Sequence, residues 1–267
     1  MLVLVTGGGG YLGNVLAREL LSRGHGVRIF DRFSFGKETL DSLLTLSNVD
    51  IYEGDVRRLQ EHPGLLDGVE AVVHLASLSN DPTCALDPDM ARDVNVASTL
   101  ELARQAREHG VGRFVLGSSC AVYGRGLFDV LDEQSPANPV ALLGQTKLEA
   151  EQGLLALGGN GFEALVCRTA TMFGWSPRMR FDLAINQMVA TAVTRGRIEV
   201  RGGGNQWRPF IHVADAARAM ASLLEAPASD VTGAIFNVGW DHFNARVVDL
   251  AHQIARQIGR VEVEVAK

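Results

Sequence analysis

Apolar positions in this chain follow two periodicities that alternate from the first residues onward. LVLVT (2–6) is a continuous apolar run, the pattern of a strand covered on both faces. In YLGNVLARELLSRG (11–24) the residues Leu12, Val15, Leu16 and Leu20 recur at helical spacing, and a glycine closes the segment. The same alternation continues with strands at VRIFD (27–31), VDIYE (49–53), EAVVHLA (70–76), RFVLGSS (113–119) and FEALVCR (162–168). Between them lie helices at ETLDSLLTL (38–46), DMARDVNVASTLELARQAREHG (89–110) and a segment that begins LLGQTK (142–147) and runs into LEAEQGLLAL. Strands separated by helices of this length predict right-handed crossovers and one parallel sheet, the doubly wound α/β class. After about residue 170 the pattern loosens. A helix is predicted at 180–196, a short strand at 198–202, a strand turning into a helix at 208–226, then FNVG (236–239) and a helix at 246–259. This divides the chain into a regular part, 1–170, and a smaller part, 171–267. The two parts are interleaved, and a substrate-binding subdomain is expected in the second.

Composition narrows the classes of function. The 267 residues are 46% hydrophobic and 21% charged, ordinary for a globular protein with a sizeable core. A net charge of -6 argues against a polyanion-binding surface, so nucleic acid is not the expected partner. The N-terminal run MLVLVTG is broken at once by glycines and no other stretch is long enough to span a bilayer. Neither a signal peptide nor a membrane anchor is expected. Cys84, Cys120 and Cys167 are widely spaced, in the manner of neither a disulfide framework nor a zinc site. A reducing cytoplasmic setting without a metal is the expectation.

The first chemistry lies in TGGGGYLG (6–13), between the first strand and the first helix. Gly7, Gly10 and Gly13 are spaced to permit a tight turn, the approach of a pyrophosphate and close helix–sheet packing in that order, with the helix N-terminus facing the phosphates. Asp31 ends the second strand, where a carboxylate accepts hydrogen bonds from ribose hydroxyls. It would repel a 2′-phosphate and so favours NAD; Arg32 beside it keeps NADP open. Asp55, after the third strand, is placed for an adenine amine. Backbone of HLAS (74–77) is placed to line the same pocket, with His74 itself a packed strand residue.

Taken with GDV (54–56), Asn95 in VNVAS, SSCAVYG (118–124), TK (146–147) and RPFIHVADAARA (208–219), these pieces resemble the extended short-chain dehydrogenase/reductase family, the NAD-dependent nucleotide-sugar epimerases and dehydratases. The resemblance runs through nearly the whole chain. It implies a Rossmann-type fold with a small C-terminal substrate subdomain and a nucleoside-diphosphate sugar bound over that half. It implies NAD held by Gly7, Gly10, Tyr11, Leu12, Gly13, Asp31, Arg32, Asp55, Val56, Leu75, Ala76, Ser77, Asn95 and Lys147. Ser119 matches the hydroxyl that bonds the reacting sugar, and Lys147 the lysine that holds the nicotinamide ribose and lowers a tyrosine pKa. Arg208 matches the arginine that pairs with the diphosphate, a task suited to its planar fork. His212 and Asp215 shape the turn that follows. A homodimer through the helices at 89–110 and 142 onward is also implied. Relatives continue past the segment matching VEVEV (261–265), so a shortened sugar-binding region is expected.

One position departs from the family. Four residues before Lys147, where the resemblance implies a tyrosine, stands Leu143, and Tyr11, Tyr52 and Tyr123 are all elsewhere in the pattern. A leucine carries no proton, and positioned acid–base groups typically contribute about 10²–10⁴-fold. Three substitutes are in reach of the motif. Cys120 starts near 8.5 and would fall beside a cation. Thr146 adjoins the lysine but is turned about 100° away along the helix, and Ser119 could relay the proton itself. Asn80, Arg180 and Asn186, in or next to the loops 78–88 and 174–182, are candidate sugar contacts. Three readings stay open: an epimerase or dehydratase with altered acid–base groups, a catalytically silent binder of NAD or nucleotide sugar, and an engineered Tyr-to-Leu knock-out.

Overall fold

The computed structural model describes residues 1–128 and 130–266. The first half of the chain contains β1 (Leu2–Thr6), α1 (Tyr11–Ser22), β2 (Gly26–Asp31), β3 (Val49–Glu53), β4 (Ala71–His74), α2 (Asp81–Leu86), α3 (Pro88–Arg92), α4 (Ser98–Glu108) and β5 (Arg113–Ser119). There follow α5 (Leu142–Leu157), β6 (Glu163–Thr169), β7 (Thr171–Phe173), α6 (Ala184–Arg195), β8 (Arg197–Val200), β9 (Trp207–His212) and α7 (Val213–Glu225). The chain continues through α8 (Ala228–Val231), β10 (Ile235–Val238), β11 (Asn244–Arg246), α9 (Val247–Ile258) and β12 (Glu262–Val265).

Seven parallel strands form the central sheet in the order β10-β6-β5-β4-β1-β2-β3. Successive strand residues point to opposite faces, so the apolar runs feed two cores. Val3, Val5, Val27, Ile29 and Val115 pack with Leu16, Leu20 and Met220 on the side of α1 and α7. Leu4, Phe30, Val72, Phe114 and Leu116 pack with Leu102 and Leu154 on the side of α4 and α5. The order reverses between β1 and β4, and the crevice beyond the carboxyl ends of those two strands is where such sheets bind ligands.

The later part of the chain does not stand apart. Strand β10 adds to the edge of the central sheet beside β6, and α7 covers α1. What remains forms a three-stranded sheet, β11-β9-β7, and a parallel pair, β12-β8, that encloses Met188, Ala192, Ile198, Val200 and Ala251 with α6 and α9.

Three local expectations change. The helix expected at 38–46 is a single turn at Glu38–Leu40 followed by further three-residue turns, with bonds such as Leu43 N–H to Leu40 O and Leu46 N–H to Leu43 O. Only Leu40 and Leu43 are buried there, and a spacing of three suits tight turns better than an α-helix. The long helix at 89–110 contains a π-turn at Asp93–Ala97, around Asn95. The helix expected from 180 starts at Ala184, after the paired Arg180 and Asp182. Among the described residues no helix is long and apolar enough to cross a membrane.

Candidate active site

A cleft of about 1010 Å³ opens beyond the β1 and β4 ends. Its cofactor wall is built largely from backbone. Gly7 has φ +70°, and a Cβ there would lie 2.7 Å from Ala76 N. A Cβ on Gly13 would lie 2.2 Å from Gly7 O, so α1 approaches the loop closely only because position 13 is bare. Gly10 caps α1 without a side chain, which leaves the first-turn amides for a ligand. Asp31 has a part in shaping the loop: its carboxylate accepts from Gly9 N–H at 3.0 Å and Phe33 N–H at 2.8 Å. Leu12, Val56, Leu75, Ala76 and Ser77 line the same wall. Asp55 lines it too, and Arg57, 2.6 Å away, holds its carboxyl down at about 2. Arg32 is exposed, its Nε 3.6 Å from Asp55.

The reaction wall consists of side chains brought together from β5, α5 and β9. Ser119 caps the turn after β5, its Oγ accepting from Ala121 N–H at 3.1 Å. Cys120 follows it. Burial pushes that thiol up, and Arg208 opposes the rise only in part. The expected fall of the Cys120 pKa is therefore reversed: desolvation of the thiolate outweighs the nearby cation. Leu143, 9% exposed, packs against Cys84, Ala91 and Leu78 and also lines the cleft. One turn later Lys147 is buried on the cleft wall, Nζ donating to Gly117 O at 2.8 Å, and burial lowers its pKa to about 8. Strand alternation sends Gln206, Arg208 and Phe210 of the β9 segment to the cleft. Arg208 is exposed, lines the cleft and has no carboxylate partner among the described residues.

Several residues singled out from the sequence serve other purposes. Asn95 is buried outside the cleft lining, its amide engaged with Leu78 N–H, Leu78 O and Thr146 Oγ1. It ties the loop after β4 to α5 and has no free group for a cofactor. Asn186 is likewise buried and spends its amide on Gly174 N–H, Arg180 O and Tyr11 Oη. Thr146 donates to Leu143 O at 3.0 Å and is fully buried, which removes it as a proton carrier. Asn80 and Arg180 do line the cleft, but Asn80 caps α2 and Arg180 bonds Asp182 and Ser79. No tyrosine replaces the missing one. Tyr11 Oη donates to Gly174 O at 2.7 Å, Tyr123 Oη donates to Asn237 and accepts from Arg168, and Tyr52 lies on β3 beside Arg28. His74 is clamped between Thr6 and Thr99, neutral because burial pushes it down to about 3. His212 caps α7 through Nδ1.

Two features were missed. Arg178 stacks 3.8 Å over the Phe35 ring, joining the loop after β2 to the loop after β7 at the cleft. Glu151, one turn beyond Lys147, forms a buried pair with Arg168 at 2.7 Å and accepts from Ser118. Both join segments that are separate in the chain, which the periodicity of a single segment does not register.

A family model described as the NAD dependent epimerase/dehydratase family matches residues 3–239. The chain belongs to this family. A UDP-glucose 4-epimerase from Corynebacterium glutamicum is 30% identical over 271 residues, covering 95% of this chain and 80% of the relative. The structure of TunA, an NAD-dependent NDP-hexosamine 5,6-dehydratase of tunicamycin biosynthesis, superposes with a TM-score of 0.85 at 26% identity, covering 100% of this chain and 84% of that one. MoeE5, solved with UDP-glucose and NAD, superposes at 0.83 with 28% identity, covering 99% and 88%. NAD is the family's cofactor, and the residues present fit a dinucleotide. The cradle is one that a Cβ at 7 or 13 would fill, the α1 amides face it, and Asp31 stands at the end of β2.

Proposed function

We propose that the chain binds NAD through its 1–170 part and a nucleoside-diphosphate sugar over its 171–267 part, and acts as an epimerase or dehydratase by transient oxidation at sugar C4. The observation that carries this reading is the convergence of Ser119, Lys147 and Arg208 on the cleft that also holds the glycine loop. The α1 amides hold the pyrophosphate, Asp31 the adenosine ribose, and Lys147 the nicotinamide ribose. Arg208 meets the sugar's diphosphate and Ser119 bonds the reacting hydroxyl. When bound, NAD supplies the hydride acceptor and later returns the hydride. A homodimer through α4 and α5 is part of the same proposal.

Leu143 favours a second reading. Its side chain is packed apolar against Cys84, Ala91 and Leu78, as a silent binding protein would tolerate. Purified protein is expected to carry NAD and to turn over at least one sugar in a panel of UDP- and dTDP-sugars. Turnover only by Leu143→Tyr would make this chain a silenced enzyme, and turnover by neither would end the enzyme reading.

A further inference from the structure

We propose that the ε-amine of Lys147 is itself the group that takes the sugar hydroxyl proton and returns it. This rests on the reading of the cleft as a nucleotide-sugar oxidation site and assigns to the lysine the task that Leu143 cannot perform.

Three observations bear on it. Lys147 lines the cleft directly, and the residue one turn before it on α5, Leu143, places no polar atom beside it. Its Nζ has one hydrogen bond, to Gly117 O, and no ion-pair partner among the described residues. As a neutral amine it donates one proton to that carbonyl and keeps its lone pair for a substrate. Finally, only Lys37, Lys147 and Lys267 are lysines among the 25 Lys and Arg residues of the chain. An arginine in this place would stay charged and could accept no proton.

The surroundings keep the amine near neutrality. Burial lowers its pKa to about 8. Glu151 on α5 pulls the other way, but its carboxylate is engaged by Arg168 from β6 and Ser118 from β5. Cys84 on α2 pulls the same way as Glu151, though burial and Asp81 push its thiol up, and His74 on β4 is neutral. Cys120, beyond β5, is raised as well. Asp81 lines the cleft from α2 and is the carboxylate that competes with Lys147 for the role.

The step balances. The sugar C4–H bond breaks with its electron pair going to NAD, the O–H proton passes to the neutral Lys147 nitrogen, and a C4 ketone forms. The sugar is oxidised and NAD reduced. The ammonium holds the proton until hydride return reverses the transfer. Ser119 on the same wall orients the hydroxyl.

The test begins with the NAD-loaded protein labelled with ε-¹³C-lysine. The signal lost in Lys147→Arg is expected to titrate near pH 8; a midpoint above 10 would overturn the proposal. With a turned-over sugar under saturating NAD, single-turnover NADH absorbance should rise with pH through that midpoint and then level off. Lys147→Ala should slow it by about 10²-fold or more. Added methylamine or ethylamine should restore part of the rate in proportion to amine basicity, because only a lost proton carrier is replaced by a free amine. Absence of rescue, or an Asp81→Asn variant that removes the alkaline rise, overturns the assignment. If Leu143→Tyr turns over a sugar and the unaltered chain does not, this proposal fails while the family chemistry stands. If neither does, the enzyme reading fails and takes the proposal with it.

Discussion

On the cofactor wall, Gly7 and Gly13 act through the side chains they lack; on the reaction wall, Ser119, Leu143 and Lys147 act through the ones they carry. The first wall is local. A strand, a bare turn and a helix N-terminus follow one another within thirteen residues, and Asp31 closes the loop from the neighbouring strand. The second is assembled from β5, α5 and β9, about ninety positions apart in sequence. Its character depends on packing: the same kind of burial that brings Lys147 toward neutral pH pushes the Cys120 thiol up. A cation gains from burial as a base, whereas a thiol loses, because desolvation disfavours the charged form of each.

The comparison can be broken from either side. The largest effect is expected behind the reaction wall. Glu151→Ala leaves Arg168 buried without its partner, where the two side chains are 1% and 5% exposed, and should cost about 3–5 kcal/mol in urea unfolding. A milder Glu151→Gln should also lower the Lys147 midpoint below 8, since Glu151 raises it. Next, Gly13→Ala meets Gly7 backbone at 2.2 Å and should cost about 3 kcal/mol and weaken NAD binding together, since loop and helix shift as a unit. Arg208→Ala should weaken nucleotide-sugar binding by about 2 kcal/mol in calorimetry and leave NAD affinity as it was. An equal loss of both ligands would show that the two walls are not separable. The smallest effect is Asp31→Asn. One of its two loop hydrogen bonds is lost and NAD binding, followed by fluorescence, should weaken about tenfold.

The parts of the site that were legible are those whose chemistry is local. Gly7, Gly10, Gly13, Asp31 and the β4 end could be placed because their roles depend on neighbours in the chain. Asn95 and Asn186 were misplaced because an amide on a motif looks the same whether it faces a ligand or a backbone loop. Only the packing of α5 against the loop after β4, and of the Gly174–Arg180 stretch against Tyr11, shows that their hydrogen bonds are spent. The 38–46 segment was misread for a related reason: apolar spacing alone does not show that only Leu40 and Leu43 reach the core.

By itself the order of residues determined the alternation of buried strands and amphipathic helices, the bare phosphate turn, and the absence of a tyrosine before Lys147. These are properties of near neighbours, set by periodicity and by the presence or absence of a side chain. Tertiary structure alone decided which polar groups remain free, which carboxylates are already paired, and how far each titrating group is desolvated. Those depend on what distant segments bring into contact: in this chain they leave Lys147 on the cleft wall with a single hydrogen bond and a lowered pKa, push the Cys120 thiol up, and engage the hydroxyls of Tyr11 and Tyr123.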